Sequence, residues 1–333
     1  MKTLYVAEAG TVLHKADNRI EVTKGKIALA SEPVTQLDSV VVMGNCQITA
    51  QALSSLAKNH VNIIHANSNG KIVAVTTTFQ ETRCDLRLMQ YQAYSNPTIR
   101  LQLAKEICAK KIKSEYILLH NKRALGDDGK DVFSILLNDL ERCITINEVL
   151  GVEGKAANLY FHRVAKISSF IFRSRRPAKD IFNALLNISY AMILSPICSC
   201  LLANGFDIQL GFLHSVKNGR PSLALDVLES FRAEADRFVT TITNRKEFSK
   251  RDFVIDKDSG GFTLESKAFK KYLEKFHNYF DLDSRIRLEC ADLKAALLEA
   301  CTTDAHNNSP QIITAYQNGV TSNQTPNIYR KTQ

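Results

Sequence analysis

The chain has 333 residues, 45% of them hydrophobic and 23% charged, which is enough apolar material for two cored domains and too much for a disordered polymer. With 14 Gly and 7 Pro it is neither collagen-like nor linker-like. Lys and Arg number 43 against 34 Asp and Glu, and the resulting net charge of +9 points to a polyanionic partner.

The first eighty residues read as strands. Short β-rich runs at 3–7, 11–14, 19–22 and 26–29 are separated by the turn residues Gly10, Asp17-Asn18 and Gly25. The run Ser39-Val40-Val41-Val42-Met43 is apolar at nearly every position, as expected for the middle strand of a sheet. A short helix follows at 49–58, with Thr49 as its cap and Ala52, Leu53 and Leu56 on one face. Runs at 61–65 and 71–77 flank Asn67-Ser68-Asn69-Gly70, a hairpin signal.

From about Arg83 the apolar residues recur at three and four instead of two. Asn96-Pro97 reads as a cap followed by proline at the first helical position. The stretch 98–124 lacks Gly and Pro and aligns Leu101, Ala104, Ile107, Cys108, Ile112, Tyr116 and Leu119 along one side. Further helices are predicted over about 131–149, 153–172, 178–203, 222–243, 265–279 and 285–301. The fold class is therefore α+β. A β-rich domain with one short helix covers 1–80, a linker with the first helix covers 81–95, and a mostly α-helical domain covers 96–301. The remainder, 302–333, is rich in Asn, Gln, Thr and Ser and is expected to be a mobile tail.

Eight cysteines without a C-x-x-C pair read as reduced cytosolic core thiols, not as a disulfide frame or zinc site. The N-terminus has no basic leader followed by an apolar run, so no secretory signal is expected. The uncharged stretch 181–206 contains Asn183, Asn187, Ser189, Ser195, Pro196, Ser199 and Asn204. These interruptions make it a helix buried in a soluble core and not a bilayer span.

Three polar features stand out in the helical half. Glu153 is bracketed by Gly151 and Gly154 and followed by Ala156-Ala157, small residues that let a backbone or phosphate come close. Its expected place is the first turn of a helix, where the dipole favours an anion and where a glutamate also has an ordinary structural use. His214 ends the apolar run Gly211-Phe212-Leu213 and enters a turn, a position for a ligand, a general base or a hydrogen-bonded loop residue. On the helix that starts near 222, Leu225, Leu228, Phe231, Ala235 and Phe238 define the expected buried stripe. Glu229 lies about 40° from Leu225 and Asp226 about 100°, so Glu229 borders the core and Asp226 sits further out. As a solvated acidic pair they would be unremarkable.

Considered as a set, Glu153, His214, Glu229 and Asp226 supply mostly oxygen donors with one imidazole. That mix suits Mg²⁺ or Mn²⁺ better than zinc, and an ion so held can polarise a phosphodiester. Between Glu153 and Asp180 there is no acidic residue, while Arg163, Lys166, Arg173, Arg175, Arg176 and Lys179 lie there among Phe161, Phe170 and Phe172. The run reads as a phosphate-binding path or, alternatively, as a solvated basic face. The basic stretch at Lys105, Lys110, Lys111, Lys113, Lys122 and Arg123 is diluted by Glu106 and Glu115 and carries less weight.

These residues resemble a known family. G-V-E-G-K-A-A from Gly151, F-x-F-R-S-R-R-P-A-K-D-I-F-N from Phe170, G-F-L-H ending at His214, and L-A-L-D-V-L-E-S-F-R from Leu223 to Arg232 occur in this order and spacing. They are similar to the CRISPR-associated integrase/endonuclease of spacer acquisition, the universal adaptation nuclease of this antiviral defence. The N-terminal half adds L-Y-V near Tyr5, S-V-V-V-M-G, I-T-x-x-A-L and the I-I…G-K hairpin, so the likeness spans about 1–300. Val227 stands where leucine is commoner, and the tail after Cys301 has no counterpart.

The resemblance implies a β-domain followed by a helical domain, with Mg²⁺ or Mn²⁺ bound through Glu153, His214 and Glu229 and with Asp226 close by. It implies an enzyme that joins 3′-hydroxyl ends of a short prespacer DNA duplex to the CRISPR repeat and that also cleaves DNA, branched DNA included. It further implies a cytoplasmic homodimer, formed through the β-domains, that works with a small ferredoxin-like CRISPR adaptation protein. Arg163, Lys166, Arg173, Arg175, Arg176 and Arg232 are the expected DNA contacts.

Overall fold

The computed structural model describes residues 2–67, 72–78, 84–174, 177–255, 257 and 260–308. Strands β1 (Lys2–Val6), β2 (Thr11–Ala16), β3 (Arg19–Lys24), β4 (Ile27–Pro33), β5 (Leu37–Met43), β6 (Cys46–Ile48), β7 (Asn62–Ala66) and β8 (Ile72–Thr76) enclose one helix, α1 (Ala50–Lys58). They form two sheets where the sequence suggested one. β1, β5, β7 and β8 are ordered in the first, and β4, β3, β2 and β6 in the second. The second needs β6, a three-residue strand pairing in parallel with β2 that is too short to show a pattern of its own.

β5 is interior, flanked in parallel register by β1 and β7. The reason its run is apolar on both sides is visible in the packing. Val40 and Val42 join the core shared by the two sheets with Leu13, Ile20 and Leu56. Val41 and Met43 face the other way and join the helical core. A strand covered on both faces loses the alternation of a half-buried one. Thr49 caps α1 by accepting from the Ala52 amide, as its residue type predicts. β7 and β8 pair antiparallel, while the turn expected between them at 67–70 lies, after Asn67, outside the described residues.

The helical part comprises α2 (Cys84–Ser95), α3 (Pro97–Asn121), α4 (Gly129–Arg142), α5 (Ile146–Val164), α6 (Ile181–Ala203), α7 (Ser222–Asn244), α8 (Ser266–Tyr279) and α9 (Leu282–Asn308). A small antiparallel pair, β9 (Phe253–Ile255) and β10 (Phe262–Leu264), lies between α7 and α8. The fold is thus α+β, β-rich first and mostly helical after. Two helix boundaries differ from expectation. The predicted 131–149 helix breaks at Cys143–Thr145, where Thr145 caps a new helix and the Glu148 carboxylate accepts from the Ile144 amide. Residues 165–172 and 178–180, expected to be helical, are irregular. α9 continues to Asn308, into the segment expected as tail; 309–333 lie outside the described residues.

α6 is apolar all round because neighbours surround it. It packs on α7, α9, β5 and β7, the Asn62 amide donates to Ser199 O at 3.1 Å, and the Tyr5 hydroxyl donates to Met192 O at 3.1 Å. Among the described residues it is the one helix long and apolar enough to cross a membrane, and 67% of its most apolar window is buried within the protein. α7 lies between α6 and α3, and α3 also contacts α5. That arrangement brings α3, α5, α7 and the α6–α7 connection to one place.

Candidate metal centre

Packing on two sides widens the buried arc of α7 beyond its apolar stripe. Leu225 is only half-buried, while Asp226 and Glu229 are 1% and 2% exposed. Asp226 therefore does not sit outside Glu229, as helix geometry alone suggested; both point inward. The loop from Gly205 to Pro221 folds over the start of α7. The amides of Phe212 and Leu213 donate to Asp226 Oδ2 at 2.6 and 3.1 Å, and that of His214 to Oδ1 at 3.0 Å. Gly211 permits this approach, since a Cβ there would stand 2.8 Å from both Asp226 Oδ2 and the Ser222 carbonyl carbon.

The His214 ring completes the arrangement. Its Nδ1 lies 2.7 Å from Asp226 Oδ1. A carboxylate can only accept, so Nδ1 carries the proton and, in the neutral ring, Nε2 keeps its lone pair. Nε2 is directed towards Glu229, 3.7 Å from Oε1. Asp226 is thus the group that aims the imidazole and not one that shares the ion position, the carboxylate–histidine relation found behind many metal ligands.

Glu153 comes from α5, two turns into a helix that starts at Ile146, not from a first turn. Gly151 and Gly154 are helical, exposed, and have open space where a side chain would grow. The helix presents Glu153 to the ammonium of Lys111 on α3, which it meets in a short ion pair. The same ammonium lies 2.9 Å from Glu229 Oε2. Lys111 therefore joins the two carboxylates, and its side chain is only 8% exposed. Arg232 Nε stands 2.8 Å from Glu229 Oε2, with its guanidinium 4.7 Å over the Tyr190 ring. Neither cation is aligned as a directed hydrogen-bond donor to that oxygen, which is left buried with charge contacts only.

The electrostatics follow from this crowding. Burial works to raise the Glu229 carboxyl, and Arg232, Lys111 and His214 reverse it, holding the group down at about 2. Burial disfavours the Lys111 charge, but Glu229, Glu115 and Glu153 keep the ammonium protonated well above its ordinary range. Glu115, one turn along α3, is 2% exposed and is pushed up to about 8 by burial, only partly offset by Lys111. Behind it, the buried Asp236 accepts from the Tyr160 hydroxyl at 2.8 Å and from the Tyr190 hydroxyl.

Of the expected residues, Glu153 and Glu229 share the Lys111 ammonium, and His214 Nε2 faces the other oxygen of Glu229. Among the described residues, no three His, Cys, Asp or Glu side chains are close enough to hold an ion directly as they lie. The donor set nonetheless fits a hard divalent cation: two carboxylates already share a positive charge, and an aimed imidazole nitrogen faces one of them.

The expected DNA contacts divide. Arg163 is turned inward, 6% exposed, with Nη2 donating to Asp128 Oδ1 at 3.0 Å, so it ties the α3–α4 loop down and cannot serve as a surface phosphate contact. Arg173 donates to Ser174 O, Asn183 Oδ1 and Asn187 Oδ1, pinning the irregular segment to α6. Arg232 is the partner of Glu229. Lys166 and Lys179 are exposed, and Arg175 and Arg176 lie outside the described residues.

Lys111, given little weight in the sequence, lies between Glu153 and Glu229. The signal was its register: relative to Cys108 it sits about 60° round the helix and Glu115 about 20°, so both fall inside the apolar stripe.

The family model described as CRISPR associated protein Cas1 matches residues 4–278. A CRISPR-associated endonuclease Cas1 from Thermus thermophilus is 34% identical over 278 residues, covering 81% of this chain and 82% of the relative. One from Thermodesulfovibrio yellowstonii is 30% identical over 292 residues, covering 84% and 91%. In fold, the chain is similar to a Cas1 protein from Thermotoga maritima, with a TM-score of 0.78 at 22% identity over 89% of this chain and 97% of that one. It is also similar to a casposase bound to integration product, with a TM-score of 0.75 at 22% identity over 89% and 90%. Matched by the family model along most of its length and 34% identical to a curated member, the chain belongs to the CRISPR-associated Cas1 family.

Proposed function

We propose that this chain is a divalent-metal-dependent DNA integrase and endonuclease of CRISPR adaptation. It inserts short DNA segments into the repeat by attack of their 3′-hydroxyls, and it cleaves DNA, branched DNA included. The observation that carries the reading is that Glu153 and Glu229, from two helices, share one ammonium while His214 Nε2, from a third segment, faces the second oxygen of Glu229. Its support from relatives is that curated members are named endonucleases and that a casposase seen with its integration product shares the fold.

Glu153, Glu229 and His214 Nε2 would hold Mg²⁺ or Mn²⁺. That ion would supply charge stabilisation for a phosphodiester under attack by a hydroxyl or by water. Asp226 keeps the proton on Nδ1 and the ring in place. Arg232 compensates the charge of Glu229 and lies over the Tyr190 ring. Lys166, Lys179, Arg175 and Arg176 are the phosphate contacts that remain once Arg163 and Arg173 are assigned to the fold. Residues 1–80 form the dimerisation unit and 96–301 the catalytic unit. A neighbour in fold occurs in a Cas6-RT-Cas1–Cas2 complex, which supports a second CRISPR adaptation protein as partner; in this reading that partner is small and ferredoxin-like, and the chain acts as a cytoplasmic homodimer.

One observation favours a second reading, a non-catalytic DNA-binding scaffold: the ammonium of Lys111 stands between the carboxylates. A titration of Mn²⁺ against a labelled branched or free-ended duplex separates the two. The enzyme makes new product, and E153Q, H214A and E229Q each lose at least 100-fold of it while still retarding the duplex in a gel. Retardation without product at any metal concentration would establish the scaffold.

A further inference from the structure

Lys111 has no place in the proposed ligand set, yet it is more enclosed than Arg232, the other cation that touches Glu229. It reaches in from α3, a helix that contributes no proposed ligand, with an 8% exposed side chain. It touches both carboxylates that the metal reading requires, Glu153 and Glu229. An ammonium buried this deeply is retained only when anions surround it. Without it, two carboxylates would face each other across a poorly solvated gap.

We infer that Lys111 is a resident counter-cation, holding Glu153 and Glu229 together in the metal-free chain, and that a divalent ion enters by taking its place. This rests on the metal-site reading above and adds to it an exchange of cations. The exchange has two consequences. The two carboxylates stay in place before any ion arrives, since the ammonium offsets their repulsion. Ion affinity is also held down, because each binding event must first break two buried charge contacts and leave an ammonium near a divalent charge.

The sign of this effect tests it. A residue that merely supports the fold weakens metal binding when replaced, whereas a competitor strengthens it. Mn²⁺ is titrated calorimetrically into chelator-treated full-length wild type, K111M, H214A and K111M/H214A. The expected result is at least a tenfold tighter Kd for K111M than for wild type, with that gain lost in K111M/H214A. A Kd for K111M equal to or weaker than wild type, with H214A still weakening the wild-type site, overturns the inference and leaves the metal site standing. Wild-type binding indifferent to H214A overturns the metal-site reading, and the inference with it. Melting curves cover the case of a poorly folded variant. In chelator K111M melts below wild type, and Mn²⁺ raises its Tm by more than it raises that of wild type. A K111M that stays unfolded in saturating Mn²⁺ overturns the exchange.

Discussion

Asp226 receives four hydrogen bonds from one loop, three from backbone amides and one from the His214 ring. D226N keeps the shape but turns an amide NH₂ against a backbone amide that can only donate, or towards His214 Nδ1, which then accepts and shifts the ring proton to Nε2. The imidazole then loses its anchor or its Nε2 lone pair, and Mn²⁺ affinity should fall about 10- to 100-fold with little change in the far-ultraviolet circular dichroism spectrum. Unaltered affinity in D226N would show that the loop positions His214 without it. The arginines give a second test at this scale. R163A removes a buried guanidinium from Asp128 and should cost about 1–3 kcal/mol of stability while leaving the salt dependence of DNA binding unchanged. K166A should do the reverse: no change in Tm, and a salt slope shallower by about one unit. A cation-rich run in sequence therefore contains two populations, and burial tells them apart.

At the scale of elements, α5 overturns a reasonable expectation. Two glycines beside a carboxylate suggested a close approach at a helix start near 153, but Thr145 and Glu148 cap a helix that starts at Ile146 and the glycines fall within it. Glycine in an exposed helix interior costs about 0.5–1 kcal/mol relative to alanine. With no atom within 4 Å of a Cβ at either position, G151A and G154A should each raise the Tm by about 1–3 °C. If either variant loses DNA cleavage while gaining stability, that glycine is reserved for an approaching DNA backbone, which returns the sequence argument in a new form. α6 shows the opposite case, where a featureless apolar pattern was read correctly as core. Hydrophobicity all round a helix demands cover on all sides, and α7, α9, β5 and β7 supply it.

At the scale of the whole molecule, two buried carboxyls impose opposite pH dependences on stability. Glu115, raised from 4.5 to about 8, holds in the folded chain a proton the unfolded chain has already released. Its contribution is fully present below about 4.5 and is lost as pH rises towards 8. Glu229, lowered from 4.5 to about 2, contributes above about 4.5 and loses that contribution as pH falls towards 2. In chelator, the wild-type Tm should fall between pH 5 and pH 8.5, and E115Q, which cannot release a proton, should fall less over that window by about 3 °C or more. Parallel curves would remove Glu115 as the cause. The two sheets and the helical core meet at β5, whose opposite faces serve different cores. Truncation within 37–43 would therefore uncover both at once.

The sequence by itself determined the α+β order, the strands of the N-terminal part, the caps at Thr49 and Asn96, the burial of α6 and the family. Each depends on local periodicity, capping chemistry or ordered motifs, all of which are written in neighbouring residues. It also named Glu153, His214 and Glu229, though it could not say what lies between them. Only the tertiary structure split the strands into two sheets, because β6 acquires its identity from β2 rather than from its own three residues. Only it turned Asp226 inward towards His214, buried Arg163, and set Lys111 between two carboxylates. Those outcomes depend on which helix faces which. A charged side chain is surface or site according to neighbours that stand 35 to 118 positions away along the chain.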